Sequence, residues 1–283
     1  MSDLRTLATG LGLGESPRWH DGRLWCSDWV AREVVAVDPA GKGEVVARVP
    51  SFPFCIDWQP DGRMLVVSGG DGRLLRREPD GSLETHADLS GLSDHPWNEI
   101  VVDGRGNAYV NNIGFDFPAG AFAPGVIALV APDGSVRQVA DGVAFPNGMA
   151  VTPDNSTLIV AESYANRLTA FDIAADGGLS NRRVWAGVGN DHPDGICLDE
   201  EGAVWYADVG TKRCVRVREG GEVLRWIELD RGCFACMLGG VDGRALFMVA
   251  AVYDPATMFG GERTGQVLTA RAPAPGAGWP SRS

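Results

Sequence analysis

The sequence has few basic residues and no long apolar segment. Its 283 residues carry 25 lysines and arginines against 37 aspartates and glutamates, for a formal net charge of -12 at pH 7. This balance opposes binding to nucleic acid or to an anionic membrane, because both are negatively charged. No stretch approaches the roughly 18 apolar residues of a membrane helix, and the first residues lack the apolar core of a signal peptide. We therefore expect a cytoplasmic protein that binds neither nucleic acid nor membranes.

The apparatus of a serine hydrolase is also absent. The motif G-x-S-x-G does not occur, and the chain has only four histidines, all in turn-like surroundings. His95 and His192 each precede a proline, which favours a structural role because proline restricts the backbone of the residue before it. Six cysteines are present, and in a chain without an export signal they are expected to be reduced thiols.

Periodic helical segments of ten or more residues are missing, whereas short runs of β-formers recur between turns. Residues 34–37, 64–67 and 126–130 are examples. The composition includes 38 glycines and 45% apolar residues, as is typical of many short strands joined by tight turns. The sequence therefore predicts the all-β class.

A turn followed by a short strand occurs six times along the chain. The turn positions taken as equivalent lie about 40 to 50 residues apart and are Gly22, Gly62, Gly106, Asn155, Gly202 and Gly243. This period is typical of a four-stranded propeller blade. The sequence therefore predicts one domain, residues 1–283, folded as a six-bladed β-propeller with a central channel.

The two ends of the chain carry different expectations. Residues 4–11 are expected to close the ring by adding an outer strand to the last blade, since an open ring would leave strand edges unpaired. The segment from about 270 to 283 is rich in proline and glycine. It is expected to form a surface tail instead of a strand, because proline cannot donate a backbone hydrogen bond.

The predicted start of an innermost strand lies seven or eight residues before each turn. The six residues at these places are Glu15, Cys55, Asn98, Asn147, Asp194 and Cys236. Strands that surround one axis would bring the six side chains together at one mouth of the channel, and four of them carry oxygen donors. Although Asn147-Gly148 and Asp194-Gly195 are also common turn pairs, the shared position in the repeat favours a metal site. Zinc or iron is less expected without histidine.

The longest interval between repeats contains an aromatic loop. Residues 113–125 include Phe115, Phe117 and Phe122 among glycines and prolines. This composition fits either a lid over the channel mouth or an ordinary surface loop. The lid interpretation predicts that Phe115 and Phe117 give the substrate pocket an apolar wall.

Four motifs on this repeat resemble those of the regucalcin/gluconolactonase family, also described as SMP-30/LRE-like. They are Gly14-Glu-Ser-Pro-Arg-Trp19, Trp97-Asn-Glu99, Phe145-Pro-Asn-Gly-Met149 and His192-Pro-Asp-Gly-Ile196. The resemblance covers nearly the whole chain. It implies a six-bladed propeller that hydrolyses lactones with one divalent metal ion, calcium before zinc, manganese, magnesium or iron. It further implies that Glu15, Asn147 and Asp194 bind the metal, while Asn98 contacts the substrate or the metal.

One departure from the sugar-lactone members bears on the substrate. They have an arginine two residues before the asparagine of blade three, where this sequence has Pro96. The missing charge and the aromatic loop together favour a lactone less polar than an aldonolactone. The expected substrate contacts are Trp97, Asn98, Glu99, Phe115 and Phe117.

The implied reaction is attack of water on the lactone carbonyl, which the metal polarises. Asp194 is expected to act as the catalytic base, because strand alternation would turn Glu99 away from Asn98. The expected partner is a small-molecule lactone, and the protein is expected to be a monomer or a weak homodimer. Two alternatives stay open: a non-enzymatic propeller scaffold whose metal fastens the blades, and a calcium-dependent ester or phosphotriester hydrolase.

Overall fold

The computed structural model describes residues 4–254 and 262–280 of the chain. Within this part the chain forms 25 β-strands and two 3₁₀ turns, Gly69–Asp71 and Ser163–Ala165. No helix among these residues has the length and apolar character needed to cross a membrane.

The strands are numbered in chain order. Strand β1 (Arg5–Leu11) precedes blade one, which comprises β2 (Gly14–His20), β3 (Arg23–Asp28), β4 (Glu33–Val37) and β5 (Gly43–Arg48). Blade two comprises β6 (Phe54–Trp58), β7 (Met64–Ser68), β8 (Arg73–Arg77) and β9 (Leu83–Asp88). Blade three comprises β10 (Trp97–Val102), β11 (Ala108–Asn112), β12 (Gly125–Val130) and β13 (Val136–Val143). Blade four comprises β14 (Pro146–Val151), β15 (Thr157–Glu162), β16 (Arg167–Ile173) and β17 (Leu179–Gly187). Blade five comprises β18 (Ile196–Asp199), β19 (Val204–Asp208), β20 (Arg213–Val217) and β21 (Val223–Glu228). Blade six comprises β22 (Gly232–Gly239), β23 (Ala245–Ala251) and β24 (Gly265–Arg271), and β25 (Gly276–Ala277) follows it in the chain.

These strands form six antiparallel sheets arranged as a six-bladed β-propeller. In blades one to four the strand order follows the chain from the innermost to the outermost strand, whereas blade five adds β25 beside β18 and blade six has β1 as its outermost strand. The innermost strands β2, β6, β10, β14, β18 and β22 each contact the innermost strand of the next blade, and β22 contacts β2 to complete the ring. The predicted all-β class and the six blades are confirmed.

The six turn positions that define the repeat share one backbone conformation. Gly22, Gly62, Gly106, Asn155, Gly202 and Gly243 all have positive φ angles, between +56° and +85°. Glycine enters this left-handed region without a steric penalty, and asparagine tolerates it better than most residues. The repeat in the sequence therefore follows from one turn geometry used six times.

The ring is closed by the first described strand. β1 pairs with β24 from Arg5 opposite Thr269 to Leu11 opposite Gly265, which makes it the fourth strand of blade six. The prediction for residues 4–11 is confirmed. Both ends of the chain thus contribute to one sheet, so opening the ring would require this sheet to come apart.

The prediction of a surface tail from about residue 270 is wrong for the part that the structure describes. The dipeptide Gly276–Ala277 forms β25 and pairs with the inner strand β18, and Trp279 exchanges backbone hydrogen bonds of 2.8 and 2.9 Å with Val151. These pairing residues keep their N–H donors because the prolines stand beside them and not among them. The segment therefore crosses the end of the channel at which the inner strands finish. Residues 281–283 lie outside the described part.

Four inner strands have an irregular register near their first residues. The shifts fall between Glu15 and Arg18, Trp97 and Ile100, Pro146 and Met149, and Cys233 and Ala235. An irregularity of this kind places two residues opposite one and redirects their side chains. All four shifts lie at the same mouth of the channel, where they determine which side chains face the axis.

Candidate active site

Three carboxylates approach one another at the mouth where the inner strands begin. Glu15 lies on β2, Glu99 on β10, and Asp194 two residues before β18. Burial raises the pKa of Glu15 well above its usual value, and the negative charges of Asp194 and Glu99 raise it further. Burial and then the charge of Glu99 raise the pKa of Asp194 in the same direction. A cation among these groups would relieve the repulsion between them.

Asn147 adds an amide to this cluster. Its side chain forms a hydrogen bond with Asp194 that partly offsets the rise in the pKa of that carboxyl group. Asn147 and Asp194 are only partly buried, whereas Glu15 is buried. The structure therefore brings together the three residues predicted to bind metal, with two of them accessible from the mouth.

The side chain of Glu99 does not follow strict strand alternation. The register of β10 against β11 shifts between Trp97 and Ile100, so the simple rule that successive side chains point to opposite faces does not hold there. Glu99 consequently lies close enough to Glu15 and Asp194 to raise the pKa of both. The prediction that strand alternation turns Glu99 away from Asn98 and the site is therefore wrong.

Arg18 lies deeper in the channel, next to Glu99. Its Nη2 atom is 3.4 Å from Glu99 Oε2 and donates a hydrogen bond of 2.7 Å to the carbonyl oxygen of Ile100. Its Nε atom lies 3.5 Å from Oδ1 of Asp57, and all three charged side chains are buried. Burial raises the pKa of Asp57 to about 6, although the charge of Arg18 acts in the opposite direction. Arg18 thus compensates part of the buried acidic charge from within the channel.

Asn111 connects two parts of the site and was not anticipated from the sequence. Its Oδ1 accepts a hydrogen bond of 3.3 Å from the backbone N–H of Glu99, and its Nδ2 donates one of 2.7 Å to the carbonyl oxygen of Asn147. The residue is fully buried at the end of β11. The sequence did offer one signal: the otherwise apolar strand ends in two adjacent asparagines, Asn111 and Asn112. Buried amides need specific hydrogen-bond partners, so such a pair indicates a structural or functional contact.

Asn98 and Trp97 occupy the start of β10. Asn98 is buried beside Glu99. Trp97 is also fully buried, but its side chain belongs to the apolar core between blades two and three. Core packing therefore accounts for Trp97, and we do not retain it as a substrate contact.

The residues that blades two and six were expected to contribute to the channel mouth are cysteines, Cys55 and Cys236. Only Cys55 lies there. Cys55 lies next to Glu99, and burial followed by the charge of Glu99 raises the pKa of its thiol. In blade six Cys233 is the residue that interacts with Glu15, while Cys236 Sγ lies 3.9 Å from Cys197 Sγ between blades five and six. Counting back from the turn fails there because β22 is eight residues long and ends four residues before Gly243, so its start lies farther from the turn. All six thiols are free, as predicted.

The aromatic loop lies beside the Asn147 corner of the site. Phe115 is buried, with its ring centroid 6.3 Å from that of Phe117 and 5.8 Å from that of Phe145. Phe145 stacks on Tyr164 at 4.6 Å and precedes Asn147 by two residues. Phe115 and Phe117 were predicted to form an apolar wall, whereas Phe145 and Tyr164 were not, although Phe145 begins the Phe-Pro-Asn-Gly motif.

The two histidines that precede prolines hold loops at this mouth. His95 Nδ1 lies 3.2 Å from Oδ1 of Asp116 in the aromatic loop, and His192 Nδ1 donates a hydrogen bond of 2.9 Å to the carbonyl oxygen of Ser163. Ser163 immediately precedes Tyr164. Both contacts support the structural role predicted for His95 and His192.

The acidic, histidine and cysteine side chains alone do not form a metal site in the described part of the chain. Among residues 4–254 and 262–280, no group of three or more histidine, cysteine, aspartate or glutamate side chains has an arrangement suited to a metal ion. The predicted set contains two carboxylates, Glu15 and Asp194, and obtains its third donor from the amide of Asn147. Any metal held here would therefore depend on that amide as well as on the two carboxylates.

The chain is similar to known proteins over most of its length. Residues 13–252 match the family described as SMP-30/Gluconolactonase/LRE-like region. Regucalcin of Oryctolagus cuniculus is 30% identical over 248 residues, which cover 84% of this chain and 83% of the relative. Pentonolactonase XacC of Haloferax volcanii is 26% identical over 214 residues, with coverages of 73% and 70%.

The fold also matches solved structures. The structure of a calcium-binding protein, regucalcin, from Agrobacterium tumefaciens superimposes with a TM-score of 0.81 at 24% identity, covering 98% of this chain and 95% of that one. This likeness supports the propeller alone. The family follows from the match over residues 13–252: the chain belongs to the SMP-30/gluconolactonase/LRE-like family.

Proposed function

We propose that this protein is a metal-dependent hydrolase that opens a small lactone, less polar than an aldonolactone, to the corresponding hydroxy acid. The observation that carries this proposal is the convergence of Glu15, Asp194 and Asn147 at an accessible channel mouth. Relatives named as lactonases, including the Haloferax volcanii pentonolactonase, support the reaction class. The aromatic loop beside Asn147 supports the lower polarity of the substrate.

The donor set fits one divalent cation, with calcium as our first choice and magnesium, manganese, zinc or iron as alternatives. Glu15, Asn147 and Asp194 would hold it through hard oxygen atoms, which calcium prefers. Burial first, and then neighbouring negative charges, raise the pKa values of Glu15 and Asp194, and a bound cation would favour the ionised form of both carboxyl groups. Three protein ligands for a cation that takes six or more would leave positions for water and substrate. When bound, such a cation polarises the lactone carbonyl and stabilises the oxyanion that forms there.

The residues of the chain then orient the substrate and move one proton. Asn98 orients the lactone beside the carboxylates. Asp194 accepts a proton from the attacking water as the water oxygen bonds to the carbonyl carbon, and returns it to the ring oxygen when the ring C–O bond breaks. We assign this role to Asp194 because it is partly exposed, whereas Glu99 is only 6% exposed and has Oε2 engaged by Arg18.

The proposal is tested by a hydrolysis assay on metal-stripped protein. Proton release is measured with a pH indicator over a panel of sugar, alkyl and aromatic lactones, with each of the five metals added separately. We expect turnover that returns with one or more metals and that is greatest for a lactone without several hydroxyl groups. Glu15→Gln is the matched variant, and it should bind the activating metal more weakly by calorimetry because it removes one charge and keeps the shape.

Two outcomes would redirect the assignment. Absence of turnover with every lactone and metal, combined with tight metal binding, would favour the scaffold that uses the metal to fasten its blades. Faster hydrolysis of a phosphotriester than of any lactone would favour the phosphotriester alternative.

A further inference from the structure

Five aromatic side chains form a continuous surface beside the carboxylate cluster. We call them the aromatic wall: Phe115, Phe117, Phe122, Phe145 and Tyr164. Phe115 is the buried centre, and the other four rings surround it with centroid distances between 5.7 and 6.3 Å. The rings meet mostly edge to face, the arrangement that aromatic quadrupoles favour.

The wall is fixed to the site at both of its edges. The aromatic loop leaves β11 directly after Asn111 and Asn112, and His95 holds it through Asp116. On the other side, Ser163 Oγ donates a hydrogen bond of 2.7 Å to the carbonyl oxygen of Pro193, the residue before Asp194. The turn that carries Tyr164 is therefore attached to the segment that carries Asp194.

A further aromatic residue approaches Asp194 from blade six. Tyr253 follows β23, and its ring centroid lies 5.8 Å from that of Phe234. Burial raises the pKa of the Tyr253 phenol, and the neighbouring Tyr164 phenol and Asp194 carboxylate raise it further. Asp194 thus lies close to aromatic side chains of blades four and six.

The wall presents ring surface to solvent. Phe117 is 44% exposed, Phe122 53% and Tyr164 47%. Such a group of exposed large apolar side chains in one place is uncommon on a protein surface and marks a site of binding. Because the aromatic wall adjoins the carboxylates of the proposed reaction centre, its occupant is a small molecule bound at that centre.

We infer that the aromatic wall is a subsite for an aryl group carried on the lactone ring, so that the substrate class is aryl-substituted lactones. The inference rests on the proposed lactone hydrolysis. A planar ring can stack on or meet the exposed rings edge to face, an interaction that a saturated ring of similar size lacks. Tyr164 and Phe117 are the specificity-determining residues, because both present ring surface next to the site.

The test compares three γ-lactones that differ only in the substituent: methyl, cyclohexyl and phenyl. We expect kcat/KM to rise in that order, with phenyl exceeding cyclohexyl by about 2- to 12-fold, the range for an aromatic pair beyond its buried area. Phe117→Ala and Tyr164→Ala should each lower the ratio of phenyl to methyl by about 2- to 12-fold, because each removes one aromatic pair. Trp226→Ala is the matched control, since Trp226 is 55% exposed on the outer strand β21. It should leave all three values unchanged.

A second measurement separates this inference from the proposed function. Calorimetry measures binding of the phenyl-substituted hydroxy acid, the product, to the wild type and to Tyr164→Ala. If no lactone is hydrolysed, the proposed function fails. The subsite would still be supported if the wild type bound the phenyl acid more strongly than the methyl acid and Tyr164→Ala did not. Equal kcat/KM for phenyl and methyl lactones, or equal binding of the two acids, would overturn the inference even with an active lactonase.

Discussion

Asn111 Nδ2 donates a hydrogen bond of 2.7 Å to the carbonyl oxygen of Asn147 and so joins blade three to the first strand of blade four. The same side chain accepts from the backbone N–H of Glu99. One buried amide therefore fixes the spacing between Glu99 and Asn147, two residues of the proposed reaction centre.

Replacing this amide should destabilise the protein and loosen the site. In Asn111→Ala the carbonyl of Asn147 and the N–H of Glu99 lose their partner, and a buried unsatisfied group costs about 1 to 3 kcal/mol. Urea unfolding should show this loss, and the affinity for the activating metal should fall as well. Asn190→Ala, at an exposed position, should stay within about 0.5 kcal/mol of the wild type. Unchanged stability and metal affinity in Asn111→Ala would contradict the bridging role.

Much of the fold could be predicted because one turn conformation recurs. Gly22 and Asn155 look different in sequence, yet both adopt positive φ, and few residue types do so easily. The pairing of Gly276–Ala277 with β18 could not be predicted in the same way. A two-residue strand carries no periodicity, so its pairing depends on the ring that the rest of the chain has already formed.

The site was predictable to the extent that repeat position determines side-chain direction. Glu15 and Asp194 were expected together on this basis, since one lies at the start of β2 and the other two residues before β18. The placement of Glu99 depends on the local register shift in β10. Such shifts leave no clear mark on the sequence, because they arise from the pairing of two strands and not from either strand alone.

The segment at the far end of the channel should contribute to stability. Trp279 packs closely on the backbone of blade three, so that a Cβ atom at Gly104 would lie 2.5 Å from Cζ2 of the indole. Because Trp279 is only partly buried, Trp279→Ala should cost about 2 kcal/mol of unfolding free energy, below the range for a fully buried tryptophan. Thermal and urea unfolding would measure the loss. Trp226→Ala, which removes an exposed indole, is the control, and an equal effect in both variants would argue against a specific role for Trp279.

The metal-free protein should lose stability as the pH rises. The folded-state pKa values of Glu15 and Asp194 lie well above their usual values, whereas the unfolded chain ionises near about pH 4. Below that pH both states are protonated and stability is fully present. It declines as the pH rises through the raised pKa values, since the unfolded state then binds fewer protons.

A divalent cation should reverse this decline. Binding to the folded state alone adds about 2.7 kcal/mol at a concentration of 100 times Kd. Urea unfolding between pH 4 and 8, with calcium or with a chelator, would measure both effects. The double variant Glu15→Gln with Asp194→Asn should show a flatter pH dependence and little response to calcium. If the double variant kept the wild-type pH dependence of stability and the wild-type response to calcium, both effects would have to arise from other residues.

Asn98→Ala should mainly affect turnover. Asn98 is neutral and is proposed to orient the lactone, so its removal should leave the metal affinity nearly unchanged. The rate should fall about 10- to 1000-fold, as for the loss of one polar group that stabilises a transition state. Steady-state kinetics at saturating metal, together with calorimetry, separate the two quantities. A large loss of metal affinity would instead make Asn98 a metal ligand.

Asp194→Asn should impair both metal binding and turnover. The substitution keeps the shape and one carbonyl oxygen but removes a negative charge, which weakens the attraction for a cation. It also removes the proposed proton acceptor, so turnover should stay low even when enough metal is added to saturate the site. Calorimetry first establishes saturation, and the rate on the best lactone is then compared with that of the wild type. A wild-type rate at saturation would transfer the role of base to Glu99, the other carboxylate that approaches both Glu15 and Asp194.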